Sequence, residues 1–203
     1  MPQPCLHFKL LHNRLDELTL KFMKDQVEAE TLDPTGFQPD LDKLAAFRLL
    51  IHGEIEDFLE AKAKDNVAAI SARIASNAIW LRQSPELFAV AIVLKKALPT
   101  QDHLEQAKFA NFVSELMSSA TSAISDNNGV KTPSFVLLSL LSGKTIDEID
   151  SALSNSLNSY GKSRGDVAHK SVTHSTTLNA PSTELATAQS LVQELAKFHD
   201  VCR

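Results

Sequence analysis

The feature that most constrains this chain is a stripe of apolar residues between positions 41 and 63. Its members recur every three or four residues, which is the spacing of one face of an α-helix. They are Leu44, Phe47, Ile51, Ile55, Phe58 and Ala61. Asp40 stands directly before the stripe and is suited to cap the N-terminus of the helix. No stretch alternates apolar and polar residues for long enough to predict a β-strand, so the sequence predicts an all-α fold.

Further helices are predicted on both sides of this stripe. We expect them over residues 6–29, from Val67 to Leu81, and over 84–98, 102–125, 132–143, 145–160 and 182–199. Thr145 and Glu148 form a capping box, and Gly161, directly after Tyr160, is expected to end its helix as the C′ residue. We predict one helical domain over residues 1–203. In it, helix 41–63 packs against 145–160 and 182–199, because these three carry the strongest apolar stripes.

Composition argues against several classes of protein. The formal net charge is −5, whereas a dedicated duplex-DNA binder is usually basic. No segment reaches the roughly 18–20 consecutive apolar residues of a membrane span, and the N-terminus lacks the pattern of a secretory signal. Two cysteines, Cys5 and Cys202, are too few for a disulfide framework. We therefore expect a cytoplasmic protein without a membrane partner.

The familiar cofactor and metal motifs are missing from the sequence. It has no Gly-rich phosphate loop, no HExxH and no CxxC. The seven histidines are scattered, and no pair stands at metal-ligand spacing beside a cysteine or an aspartate. We expect neither a cofactor nor a metal.

Arg164 and His169 offer the clearest chemistry, in the stretch "YGKSRGDVAHKS" of residues 160–171. The arginine is permanently charged and its planar fork suits phosphate, while the histidine titrates near neutral pH. Such a pair can cleave RNA without a metal. A base takes the proton of a ribose 2′-OH, that oxygen attacks the adjacent phosphorus, and a cation stabilises the added negative charge. The alternative is a solvated turn.

The residues around this pair resemble the HEPN superfamily, whose hallmark is R-x4–6-H near the start of its final core helix. "SRGDVAHKS" is most similar to the HEPN branch associated with the ribosome/L-PSP endoribonucleases, where R-G-acidic-aliphatic-A-H is typical. "FRLLIHGEIEDFLEAKA" (47–63), with His52, Ile55 and Glu56, resembles the early helix of that branch. "TPSFVLLSLLSGKTIDEIDSALSNSL" resembles the segments that precede the motif. The resemblance covers roughly residues 41–200.

The resemblance implies a HEPN-type helical bundle with extra N- and C-terminal helices and a metal-independent endoribonuclease activity. The setting would be a toxin system, defence or a stress response. Arg164 and His169 would be the catalytic residues, supported by Asp166, His52 and Glu56, while Lys162 and Lys170 would bind the substrate. HEPN nucleases generally act as dimers with one shared cleft. The expected partners are RNA, a second copy of the chain, and a protein antitoxin or regulatory partner.

Two features keep other interpretations open. Gly165 stands where HEPN nucleases commonly carry a polar residue, often Asn. This difference leaves open a second hypothesis, a catalytically silent HEPN module that binds RNA, a nucleotide or a protein partner. An unrelated helical adaptor is a third hypothesis.

Charged and polar residues also recur every four positions within helix 41–63. This row is either an exposed row of charges or, through His52 or Glu56, a support for Arg164 and His169; its members are Arg48, His52, Glu56 and Glu60.

Overall fold

The structure is a computed structural model that describes residues 5–75, 84–96, 106–169 and 177–200. All regular structure in these ranges is helical, which confirms the predicted all-α class. The helices are α1 (Leu6–Leu18), α2 (Lys24–Leu32), α3 (Leu41–Ala75), α4 (Ser84–Val93), α5 (Gln106–Ser125), α6 (Thr132–Leu141), α7 (Ser151–His169) and α8 (Pro181–Phe198). A π-helical segment, Thr19–Met23, joins α1 to α2, and a 3₁₀ turn, Ile146–Glu148, precedes α7.

The chain divides into two compact units. Unit 1 contains residues 1–58, 129–132 and 150–203, and unit 2 contains residues 59–128 and 133–149. Helix α3 contributes residues to both units, and the single domain over residues 1–203 stays a prediction.

Unit 1 is built around the apolar faces of α1, α3, α7 and α8. Its core includes Phe8, Leu11, Leu15, Leu18, Leu44, Phe47, Ile51, Ile55, Leu153, Leu157, Leu191, Val192 and Leu195. The predicted packing of α3 against α7 and α8 is confirmed by side-chain contacts: the rings of His52 and Tyr160 lie nearly parallel, and Arg48 pairs with Glu184. Each large apolar side chain buried in this way contributes about 1.5–3 kcal/mol to folding.

Unit 2 is formed by the remainder of α3 together with α4, α5 and α6. Its buried side chains include Leu59, Val67, Ile70, Leu87, Val90, Leu116, Ile124, Phe135 and Leu138. The Asn66 side-chain amide donates a hydrogen bond of 2.9 Å to the carbonyl of Leu141 at the end of α6. Gly143 follows with φ of +93°, a left-handed conformation that glycine adopts without strain, and the predicted end of this helix is confirmed.

Helix α3 is longer than the sequence predicted. Asp40 caps it as expected, because its carboxylate accepts a hydrogen bond of 3.1 Å from the backbone of Lys43. One helix of 35 residues then replaces the end of the first predicted helix and the start of the next. The stretch between them, "AKAKDNV" (61–67), contains no proline or glycine, so nothing interrupts the backbone hydrogen bonds. Leu81, which was assigned to the second of these helices, lies outside the described residues.

The N-terminal helix contains a π-helical segment that the apolar pattern did not predict. Leu15 and Leu18 are buried before the segment and Met23 is buried within it. The step from Leu18 to Met23 is five residues, and the wider π turn keeps both side chains on the core side. Two apolar side chains of this helix, Leu6 and Leu10, are 66% and 53% exposed.

The capping box at Thr145 forms but does not open α7. The Glu148 carboxylate accepts hydrogen bonds of 2.7 Å and 2.9 Å from the backbone and hydroxyl of Thr145, and the helical turn ends after three residues. Asp150 caps α7 instead, since its carboxylate accepts from the backbone of Ala152 at 2.8 Å and of Leu153 at 3.2 Å. The prediction of one continuous helix from residue 145 was therefore wrong.

Gly161 does not end α7, contrary to the prediction. The helix continues to His169, and Gly161 is buried in its interior. A Cβ atom at this position would lie 3.2 Å from Cγ of Lys131 and 3.7 Å from Nε2 of His52. The glycine therefore serves close packing around His52 and is not a helix stop.

The same substitution at two glycines of α7 tests this assignment. Gly161→Val should lower the free energy of unfolding by about 1–3 kcal/mol, because the new side chain must displace Lys131 and His52. Gly165→Val should change it by less than about 0.5 kcal/mol, because valine has the better helix propensity and a Cβ there meets no atom within 4 Å. Urea unfolding measures both, and equal effects would contradict the close-packing role of Gly161.

Candidate functional site

A buried ion pair between α3 and α8 underlies the candidate site. The side chains of Arg48 and Glu184 are each 2% exposed. Nε of Arg48 donates to one Glu184 oxygen at 3.1 Å and Nη2 donates to the other. The guanidinium also donates to the hydroxyl of Thr177 at 3.2 Å and to its carbonyl at 2.7 Å. Asn179 donates twice to Glu184, from its backbone and its side chain, at 2.9 Å each. The exposed row of charges is therefore the wrong interpretation for Arg48.

Both charges stand within apolar stripes of the sequence. Arg48 follows Leu44 by one helical turn on α3, and Glu184 precedes Ala188 by one turn on α8. Opposite charges embedded in the buried stripes of two helices can be buried only as a pair. This pattern could have identified Glu184, which the sequence prediction missed.

His52 lies one turn after Arg48 and is 1% exposed. Its ring lies nearly parallel to that of Tyr160, with centroids 6.4 Å apart, and its Nδ1 stands 3.8 Å from a Glu56 oxygen, too far for a hydrogen bond. Burial, together with the positive charges of Arg164 and Lys131, lowers the pKa of the His52 imidazole to about 4, and burial is the largest of these causes. The imidazole is therefore neutral at pH 7. The prediction that His52 belongs to an exposed row of charges was also wrong.

The loop before α6 holds Lys131 beside this histidine. The backbone N–H of Gly129 donates to the Glu56 carboxylate, and Gly129 has φ of +107°, which favours glycine. On the other side, the hydroxyl of Thr132 is hydrogen-bonded to that of Ser154 at 3.3 Å. Lys131 therefore lies between two anchored neighbours.

Arg164 approaches His52 from α7. Its side chain is half-buried, and its Nε is buried without a hydrogen-bond partner among the residues described. In the described ranges, neither Arg164 nor Lys131 forms an ion pair with a carboxylate. Two cations thus act on one buried neutral imidazole.

The other predicted site residues are distributed along α7. Asp166 is half-buried and Lys162 is exposed. His169 is the last residue of the helix, but its side chain lies outside the described part of the structure, and so does the whole of Lys170. Since α7 is uninterrupted, Arg164 is not at a helix start, and five positions place Arg164 and His169 about 140° apart around the axis.

Gly165 leaves open space at the motif. A Cβ atom at this position would meet no heavy atom within 4 Å. The Cβ atom of a polar residue such as HEPN nucleases commonly carry there would therefore not clash with a neighbour.

A groove of about 540 Å³ lies between α7 and α8, above the Arg48–Glu184 pair. Hydroxyl groups line it, from Ser156, Ser159, Ser163, Thr187 and Ser190. Two carboxylates, Glu184 and Glu194, line it as well. This lining suits neutral hydrogen-bonding groups better than phosphate.

The described ranges contain no group of three or more His, Cys, Asp or Glu side chains that could hold a metal ion. None of the helices in those ranges has both the length and the apolar composition needed to cross a bilayer.

Sequence reasoning did not identify Lys131 as a site residue. It lies 33 positions before Arg164, in a loop that carries no motif of its own. The sequence offered one weak signal, the glycines at positions 129 and 161. Their roles, a tight turn at Gly129 and a close approach at Gly161, are evident only in the structure.

Comparison with known proteins gives no relative for this chain. No protein-family model matches it, and neither a curated protein nor a solved structure does.

The protonation of His52 can be measured directly. In an NMR titration of the imidazole signals, His52 should titrate near pH 4. Arg164→Gln and Lys131→Gln should each raise its pKa, because each removes a positive charge that disfavours the imidazolium. The pKa should stay below 6.5, the ordinary value for a histidine, because burial, the largest cause, remains.

Lys24→Gln on α2 is the control, and it should leave the pKa of His52 unchanged because Lys24 is not among the charges that act on this imidazole. If His52 titrated at or above pH 6.5, or if neither substitution moved its pKa, the convergence of the two cations on His52 would be refuted.

Proposed function

We propose that this protein is a metal-independent endoribonuclease of the HEPN type. The observation that carries the proposal is the convergence of Arg164 and Lys131 on the buried, neutral His52. Uncompensated cations beside a half-buried helix face are suited to a phosphate group. The arginine among them belongs to the R-x4-H motif that resembles HEPN nucleases.

The proposed chemistry is attack by the ribose 2′-oxygen on the neighbouring phosphorus. His169 takes the proton of the 2′-OH, the new bond to phosphorus forms, and the bond from phosphorus to the 5′-oxygen breaks. The leaving 5′-oxygen takes up a proton from solvent, and the His169 imidazolium returns its proton to solvent. Arg164 stabilises the extra negative charge of the pentacoordinate state. Such electrostatic stabilisation by a fixed charge is usually the largest single contribution to catalysis.

His52 and Glu56 are positioning residues in this proposal. His52 is 1% exposed, so it cannot meet an RNA strand at the surface as the structure stands. It lies near Arg164 as a neutral group. A neutral imidazole can be buried near a guanidinium without the repulsion that an imidazolium would cause. Glu56 holds the loop that carries Lys131 through its hydrogen bond with Gly129.

A homodimer forms part of the proposal. Because five positions of a helix span about 140° around its axis, helix geometry alone does not bring Arg164 and His169 of one protomer to a common face. Two copies related by a two-fold axis would bring both residue types to one cleft. RNA would be the substrate and a second copy the obligatory partner. A toxin, defence or stress-response role, with an antitoxin or regulatory protein, is the setting that the resemblance suggests.

A catalytically silent module that binds RNA is the second candidate. The separation of Arg164 from His169 around α7 favours it, because the cation site can hold a phosphate without a proton carrier nearby. Gly165 in place of a polar residue points the same way.

A cleavage assay distinguishes the two candidates. Purified protein incubated with total RNA and excess EDTA should degrade it, because the nucleophile comes from the RNA and the charge stabilisation from side chains. His169→Ala should reduce the rate by about 10²–10⁴-fold through loss of proton transfer. Arg164→Ala should reduce it by about 10²–10³-fold through loss of charge stabilisation.

His12→Ala and Lys24→Ala are matched controls on α1 and α2, and both should keep the full rate. Retention of full activity by His169→Ala would reject the nuclease mechanism. Binding of RNA without any cleavage by the unaltered chain would support the silent module instead.

A further inference from the structure

Two cations from distant parts of the sequence act on one small region of unit 1. Lys131 belongs to the loop before α6, and Arg164 belongs to α7. Both lower the pKa of the same imidazole, that of His52. Cγ of Lys131 also lies 3.2 Å from the Cβ position of Gly161, one helical turn before Arg164. The lysine stem therefore packs against α7 one helical turn before the arginine.

No carboxylate compensates these charges within the described part of the chain. Glu56, the nearest acidic neighbour of His52, accepts a hydrogen bond from the Gly129 backbone. Like charges in a partly desolvated place destabilise a fold unless something of opposite sign binds them. Two such cations close together in a chain whose net charge is −5 point to an anionic ligand.

The loop geometry fixes the lysine backbone before any ligand arrives. Gly129 is tied to Glu56 on one side, and Thr132 is tied to Ser154 on the other. Val130 between them is completely buried. A backbone held in this way loses little conformational freedom when its side chain binds an anion, which favours affinity.

The ligand that fits is a phosphodiester of an RNA strand. The Lys131 side chain is exposed and Arg164 is half-buried, so an anion can reach both from solvent. A lysine acts as a compact point charge and an arginine as a planar fork, and phosphate accepts from both. The groove between α7 and α8, lined by hydroxyls and by Glu184 and Glu194, suits uncharged groups such as a base or a ribose.

We propose that Lys131 and Arg164 together bind one backbone phosphate of the RNA substrate, which makes Lys131 a substrate-binding residue. This inference rests on the proposed function, because it names the contact by which the same site holds RNA. It goes beyond the R-x4-H motif, which contains no residue of the loop before α6.

Binding of a non-cleavable RNA tests the inference separately from catalysis. The probe is a single-stranded oligonucleotide with 2′-O-methyl riboses, whose binding is followed by fluorescence anisotropy across a series of salt concentrations. Lys131→Gln and Arg164→Gln should each weaken binding by roughly 10–100-fold, the effect of losing one hydrogen bond to a charged group. Each should also make the slope of log affinity against log salt shallower by about 0.7, the contribution of one single-strand phosphate contact.

The double variant shows whether one phosphate is shared. If both side chains bind the same group, the loss in the double variant should be smaller than the product of the two single losses. Lys131→Arg should restore most of the affinity, because it returns the charge. Lys24→Gln on α2 removes the same charge elsewhere in unit 1 and should leave both the affinity and the slope unchanged.

The outcomes separate the inference from the proposed function. If Arg164→Gln weakens binding and Lys131→Gln does not, Lys131 is not a substrate contact and the nuclease proposal stands. If Lys131→Gln weakens binding no more than Lys24→Gln does, the inference is likewise overturned. If the unaltered chain does not bind the oligonucleotide, both the inference and the RNA-directed function are rejected.

Discussion

The buried ion pair of Arg48 and Glu184 is the interaction on which the rest of unit 1 depends. It joins α3 to α8 with both charges removed from water, and Thr177 and Asn179 supply the remaining hydrogen bonds. Loss of one partner from such a pair costs about 3–5 kcal/mol, because the other charge is left buried and uncompensated. That is a large part of the 5–15 kcal/mol by which a domain is usually stable. The hydroxyl of Tyr160 donates to the carbonyl of Arg48 at 3.4 Å, so α7 is attached at the same point.

The candidate site follows from this arrangement one helical turn further along α3. With α7 held against α3, His52 is enclosed by Tyr160 and by the close approach at Gly161. An enclosed imidazole stays neutral at pH 7, and a neutral imidazole tolerates the cations of Arg164 and Lys131 beside it. Packing therefore determines the charge state of His52. The neutral imidazole in turn permits two positive charges, Arg164 and Lys131, to lie near each other in a chain whose net charge is −5. The proposed contact with an RNA phosphate uses that local charge.

Periodicity predicted the helices well because burial of an apolar face follows directly from residue spacing. It predicted less where one residue has two structural uses. Gly161 has the sequence context of a helix stop, yet it permits close packing inside α7, and only the neighbouring His52 and Lys131 distinguish the two. The motif identified Arg164 because its residues are adjacent in sequence. Lys131 and Glu184 were missed because their partners are far away along the chain, and the resemblance to HEPN proteins covers only local patterns.

The most direct test of the central claim is the chemistry of the cleaved ends. RNA treated with the protein in EDTA should carry a 2′,3′-cyclic phosphate on one fragment and a 5′-hydroxyl on the other, because the nucleophile is the 2′-oxygen of the substrate itself. Mass spectrometry of a defined oligonucleotide identifies both ends. Fragments with a 5′-phosphate and a 3′-hydroxyl would show that water attacks the phosphorus, and would contradict a mechanism based on Arg164 and His169.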